Sequence, residues 1–108
     1  AAPDAELTTQ PGPDGRAATM VMSHSAHGMV LLTQGLPTLP ADQSVQAWFI
    51  ARDGHKTSAG LLDPANGSLL VADLAAASDA SSLTLTVEPH GGSTHPSDNV
   101  VIALPMSS

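Results

Sequence analysis

The chain has 108 residues, the size of one small domain, for which folding would bury roughly 65% of the surface of the unfolded chain. Ten acidic residues against three basic ones give a formal charge of -7 with no cluster of Lys or Arg, a balance that disfavours nucleic acid and anionic membrane surfaces as partners. At 42% hydrophobic and 12% charged it is no solvated tail, its 2% aromatics leave the core to Leu, Val, Ile, Ala and Met, and the absence of cysteine excludes disulfides, thiol catalysis and cysteine-held metal or iron-sulfur sites.

Residues 1–15 hold Pro3, Pro11, Gly12, Pro13 and Gly15, a composition that resists regular structure. They are predicted to form a flexible linker or membrane-proximal stalk, with the folded domain over 16–108. Beyond them, short apolar runs recur about every ten residues with turn residues between, the pattern of an all-β protein. Runs 17–23 and 28–34 flank His24-Ser25-Ala26-His27 and read as a hairpin. Gly35-Leu36-Pro37-Thr38-Leu39-Pro40 then forms a stiff crossover, because proline removes ladder donors and turns its predecessor away from helix.

Run 44–52 is apolar on both alternating faces, with Val45, Ala47 and Phe49 on one side and Trp48 and Ile50 on the other, so it is predicted to be a central strand. Trp48 is expected to pack between the sheets or against the Leu36-Pro37 loop, in preference to an exposed sugar-stacking position. Runs 57–62 and 68–72 are shorter strands around the turn-rich Asp63-Pro64-Ala65-Asn66-Gly67. The alanine-rich stretch 74–80 favours a short helical turn.

Run 82–88 alternates cleanly, with Leu83, Leu85 and Val87 inward and Ser82, Thr84, Thr86 and Glu88 outward, and 99–104 closes the domain with Val100, Ile102 and Leu104 on one face. Seven strands without βαβ alternation predict a two-sheet antiparallel β-sandwich, immunoglobulin-like in architecture. No apolar run reaches the roughly 20 residues that span a bilayer and no signal peptide opens the sequence, so the anchor of an ectodomain would lie outside it.

Met20, Met22, His24, His27 and Met29 gather soft and borderline donors around the first hairpin, which suits Cu(I). Their spacing matches no zinc signature, and methionine commonly fills core gaps where aromatics are scarce, so core methionines with turn histidines are the expected arrangement and no metal or other cofactor is expected. His90 and His95 flank the Gly91-Gly92 turn and are expected in solvent. No nucleophile elbow, phosphate loop or carboxylate pair is present, and Ser23-His24-Ser25 is the kind of neighbour pair that hydroxyl-rich strands produce by chance, so no catalytic residue is expected.

Three segments together resemble the C-terminal domain family of anti-sigma-K factors. They are Gly35-Leu36-Pro37 with Val45-Gln46-Ala47-Trp48-Phe49-Ile50, then Thr57-Ser58-Ala59-Gly60-Leu61-Leu62, then Thr86-Val87-Glu88-Pro89-His90-Gly91-Gly92-Ser93 with Pro96-Ser97. The resemblance departs at Val45, where the family commonly has tyrosine. It implies structural motif roles for Trp48, Ser58, Ala59, Gly60, Glu88, Pro89, Gly91, Gly92 and Pro96. It also implies a regulatory domain, not an enzyme, on the extracytoplasmic side of a bacterial membrane. There a single-pass anti-sigma factor would hold an extracytoplasmic-function sigma factor through a cytoplasmic part absent from this sequence, and membrane proteases would relay the signal. In physical terms the glycines of the third segment permit positive φ, Pro89 ends a ladder, and Glu88 is placed to accept hydrogen bonds from loop amides.

Overall fold

Hydrophobic alternation in the sequence becomes two antiparallel sheets of four strands each in the computed structural model, which describes residues 6–23, 28–36, 38–63, 67–71 and 80–106. The strands are β1 (Glu6–Pro11), β2 (Ala17–Ser23), β3 (Gly28–Gln34), β4 (Gln43–Ala51), β5 (Lys56–Leu61), β6 (Ser68–Val71), β7 (Ala80–Pro89) and β8 (Val100–Pro105). One sheet has the order β1-β2-β3-β6 and the other β5-β4-β7-β8, so β4 and β7 are central, as the two-sided apolar pattern of β4 requires. The predicted β-sandwich is thus observed, with an eighth strand added.

That eighth strand corrects the expectation that residues 1–15 lack regular structure. Glu6–Pro11 pairs along its whole length with β2, Leu7 opposite Val21 and Thr9 opposite Thr19. Its prolines do not prevent this, because β1 is an edge strand and Pro11 is its last residue. A 3₁₀ turn at Pro13–Gly15, with Asp14 at φ 58°, then reverses the chain into β2. The Arg16 guanidinium donates to the Val101 carbonyl on β8 at 3.2 Å, tying this corner to the opposite sheet. The helical turn expected at 74–80 falls on 72–79, outside the described residues, apart from Ala80, which begins β7.

Between the sheets the core is aliphatic and sulfur-rich, as the aromatic-poor composition demands. Row by row, Met22 faces Met29 and Val71, and Met20 faces Leu31 and Leu69, across the inner surface of the first sheet. The second sheet answers with Val45, Ala47 and Phe49 from β4, Leu83 and Leu85 from β7, and Ile102 and Leu104 from β8. Leu31, Leu83, Leu85 and Leu104 have no accessible surface. Truncating such a side chain removes its transfer free energy and leaves a cavity. Leu85→Ala and Leu31→Ala are therefore each expected to cost about 2–5 kcal/mol, read as a lowered urea midpoint with an unchanged m-value.

Candidate functional site

On the face of the second sheet turned away from that core, β4 and β7 carry polar side chains that are nonetheless buried. Strand alternation sends Gln46 and Trp48 to this face from β4, and Thr86 and Glu88 from β7, with Gln46 directly opposite Thr86. Their exposures are 4% for Gln46, 1% for Trp48, 1% for Thr86 and 3% for Glu88. What covers this face is the segment 90–99, which leaves the end of β7, crosses to β4 and β5, and returns to enter β8.

Two hydrogen-bonded groups hold the segment down. The Gln46 amide grips it on one side: its Nε2 donates to the Ser58 hydroxyl at 2.8 Å and to the Ser93 carbonyl at 3.2 Å, while its Oε1 accepts from the Ser93 amide at 2.8 Å. On the other side the Trp48 indole N–H donates to Thr86 Oγ1 at 2.8 Å, and the Thr86 hydroxyl in turn donates to Glu88 Oε2 at 2.5 Å. The same carboxylate oxygen accepts the Ser97 amide at 2.7 Å, and the Ser97 hydroxyl donates to the Val87 carbonyl at 2.8 Å. Among the described residues no buried side-chain nitrogen or oxygen lacks a partner, so the network is complete there.

Electrostatics at Glu88 combine two opposed effects. Burial pushes its carboxyl up, and the hydrogen bonds from the Thr86 hydroxyl and the Ser97 backbone amide, helped by the neighbouring serine hydroxyls, outweigh it, leaving the group below its ordinary value of 4.5. Glu88 is therefore an ionised acceptor whose donors are all supplied by β7 and the covering segment. Because these bonds tie the covering segment to β4 and β7, the arrangement acts as a latch.

Comparison with known proteins places this chain in a family. The family model described as "Anti-sigma-K factor rskA, C-terminal" matches residues 1–101. The chain belongs to that family. A Streptomyces griseus protein described as an uncharacterized protein in the phr 5′ region is 35% identical over 100 residues, 93% of this chain and 42% of its own length. An anti-sigma-K factor RskA of Mycolicibacterium vanbaalenii is 34% identical over 108 residues, 99% of this chain and 45% of its own. One from Mycobacterium ulcerans is 34% identical over 107 residues, 98% of this chain and 45% of its own. The chain thus spans less than half the length of these relatives. No solved structure matches it.

In this anti-sigma-K C-terminal domain, most residues singled out by motif meet at the latch. Trp48, Ser58 and Glu88 belong to its hydrogen-bonded network, and Pro89 closes β7 and accepts the Gly92 amide at 2.9 Å. Trp48 is buried as expected, but on the outer face of its sheet and not among the core residues, because it alternates with Ala47 and Phe49, which take the inner face. Ala59 packs against the inter-sheet core, Gly60 sits opposite Ala47 where the β4–β5 register shifts, and Pro96 is half-buried in the covering segment. A Cβ on Gly60, whose φ is +132°, would come within 3.0 Å of the Leu69 side chain.

The outward assignment of Thr86 and Glu88 was correct in direction, yet both are buried, because alternation reports the two faces of a sheet and is blind to a segment folded over one of them. Gln46, Ser93 and Ser97 stand within the same motifs, and their role in closing the segment depends on tertiary contacts that the motifs do not show. Met20, Met22 and Met29 all lie in the inter-sheet core, where their thioethers serve as apolar filling, while His24 and His27 lie outside the described residues. His90 and His95 are exposed.

Because the folded pKa of Glu88 is depressed, its contribution to stability is present above the ordinary glutamate value and is lost as pH falls through the folded one. Glu88→Gln is expected to lower stability at pH 7 by about 1–3 kcal/mol, with the difference from wild type shrinking below pH 4.5, as urea midpoints across pH would show. Trp48 emission offers the readout, since it is the chain's single tryptophan and is buried within the latch.

Gly91 and Gly92 both have φ near +90°, but a Cβ on Gly92 would lie 3.0 Å from Gln46 Oε1 and 3.2 Å from Leu61 Cδ2, whereas on Gly91 it would meet open space. Gly91→Ala should therefore carry only the backbone strain of about 1–2 kcal/mol, and Gly92→Ala more than that, in the same denaturation assay.

Proposed function

We propose that this chain is the extracytoplasmic sensor domain of a single-pass membrane anti-sigma factor. Its cytoplasmic part holds an extracytoplasmic-function sigma factor, and its folded state governs regulated proteolysis by membrane proteases. The observation that carries this reading is family membership, with relatives named anti-sigma-K factors that are more than twice as long as the matched domain. That length leaves room for an anchor and a sigma-binding part. The latch supports the reading physically. A domain built to be read by proteolysis benefits from an ordered covering segment whose release depends on a few buried polar groups, since local opening is what a protease samples.

The pairing of Glu6–Pro11 with β2 shortens the accessible stalk on this reading, leaving the cleavable stretch on the N-terminal side of β1. The chemistry fits a binding and regulatory role in preference to catalysis, because the one buried ionised group among the described residues is committed to the fold.

In the full-length protein expressed in its own bacterium, Glu88→Ala is expected to lower the steady-state level of intact anti-sigma factor and raise transcription from sigma-dependent promoters several-fold, as about 1–2 kcal/mol of destabilisation changes abundance. Unchanged intact protein and unchanged transcription in a variant shown to be destabilised in vitro would sink the proposal.

A further inference from the structure

The outer face of the β1-β2-β3-β6 sheet has the opposite character to the latched face of its partner sheet. The register aligns Leu7, Val21, Val30 and Leu70 in one continuous row across all four strands, and Leu32 lies on the same face in the neighbouring row. Leu7 and Leu70 are about 70% exposed, Leu32 48% and Val30 36%. Every outward position of these strands is Leu, Val, Ala, Thr, Ser, Gln, Gly or Pro, so among the described residues these strands put no charged side chain on the face although the chain's net charge is -7. A solvated sheet face ordinarily alternates toward charged and polar residues, and a contiguous apolar row on one marks an interaction surface.

We propose that this face is a self-association surface on which two copies of the chain pack sheet against sheet about a two-fold axis. Charge selects the occupant. A basic partner would find no carboxylate here and an acidic partner no cation, whereas a second copy brings an equally neutral surface and keeps the acidic groups of both molecules off the contact. Shape agrees, because a twisted four-stranded sheet is complementary to an identical one, as between the two sheets inside the domain. Four strands about 4.8 Å apart and roughly 20 Å long give a footprint of about 400 Å² in projection. With side-chain relief this amounts to about 1,200 Å² of accessible surface removed over both copies, at the lower end of specific interfaces. The dimer is accordingly reversible and concentration-dependent, and salt strengthens it by screening the like net charges.

Sedimentation equilibrium of the chain from about 5 μM to 0.5 mM is expected to show the apparent mass rising from 10.9 kDa toward twice that value, with a further rise at higher NaCl. Val30→Glu and Leu70→Glu, at solvent-facing positions, should keep native tryptophan emission and abolish the rise. Since the chain has no cysteine, Val30→Cys should form a disulfide-linked dimer under mild oxidation, whereas Thr94→Cys, on the segment covering the other sheet, should not. A wild-type chain that stays monomeric at the highest concentration overturns the proposal, as does a dimer that survives Val30→Glu. Binding of monomeric wild type, but not Val30→Glu, to neutral phosphatidylcholine vesicles would overturn it in favour of a lipid contact.

Discussion

The carboxylate of Glu88 sits at the end of a central strand, beneath a segment that itself contains two glycines and a proline, and each depends on the other. A charged group with 3% exposure is tolerable only if its lone pairs are satisfied, and one of its donors, the Ser97 amide, belongs to the covering segment. The segment has little apolar surface with which to hold itself down, so the charge-assisted bonds to Glu88 and the paired bonds of Gln46 with Ser93 are what close it. Trp48 and Thr86 extend the chain of donors inward, and such a relay polarises each of its members. The result is a third layer on one side of a two-layer sandwich.

This third layer changes the use of a scarce residue. With a single tryptophan and a single phenylalanine, the chain divides its aromatics between the two faces of β4. Phe49 goes to the aliphatic and methionine core, where no polar atom need be satisfied. The indole goes to the outer face, where Thr86 accepts its N–H, consistent with the rule that buried tryptophan seeks a hydrogen-bond acceptor. The inter-sheet core is then filled by flexible methionines whose thioethers adapt to the gaps that a second large ring would have occupied.

Much of this was legible beforehand because period-2 alternation is a local signal. Leu83 and Leu85 of β7 and Ile102 and Leu104 of β8 face inward as alternation predicts, and the two-sided apolar pattern of β4 marks it as central, but Val100, expected beside Ile102, is exposed opposite Thr86 because the β7–β8 register shifts there and buries Val101 instead. β1 escaped for the converse reason. Gln10-Pro11-Gly12-Pro13 signals a turn, while the Glu6-Leu7-Thr8-Thr9 run before it gains its strand conformation from the β2 edge it docks on, a tertiary effect that propensity cannot carry. The latch was half legible. The motif resemblance pointed to Trp48, Glu88 and Gly92, but its closing partners Ser93 and Ser97 are ordinary loop serines whose meaning depends on where the segment folds.

The two outer faces of the sandwich pose the same physical problem with different solutions. Each presents side chains that a lone sheet would leave in water. On the second sheet these are polar and become buried through a segment of the same chain, because hydrogen bonds between specific groups can be satisfied locally by a ten-residue return. On the first sheet they are apolar and uncharged, and apolar surface is non-directional: it needs area, which a short loop does not provide and another flat sheet does. A domain that spends its loop on one face and leaves the other neutral in a strongly acidic chain has divided its surface into a self-contained side and a side suited to another copy.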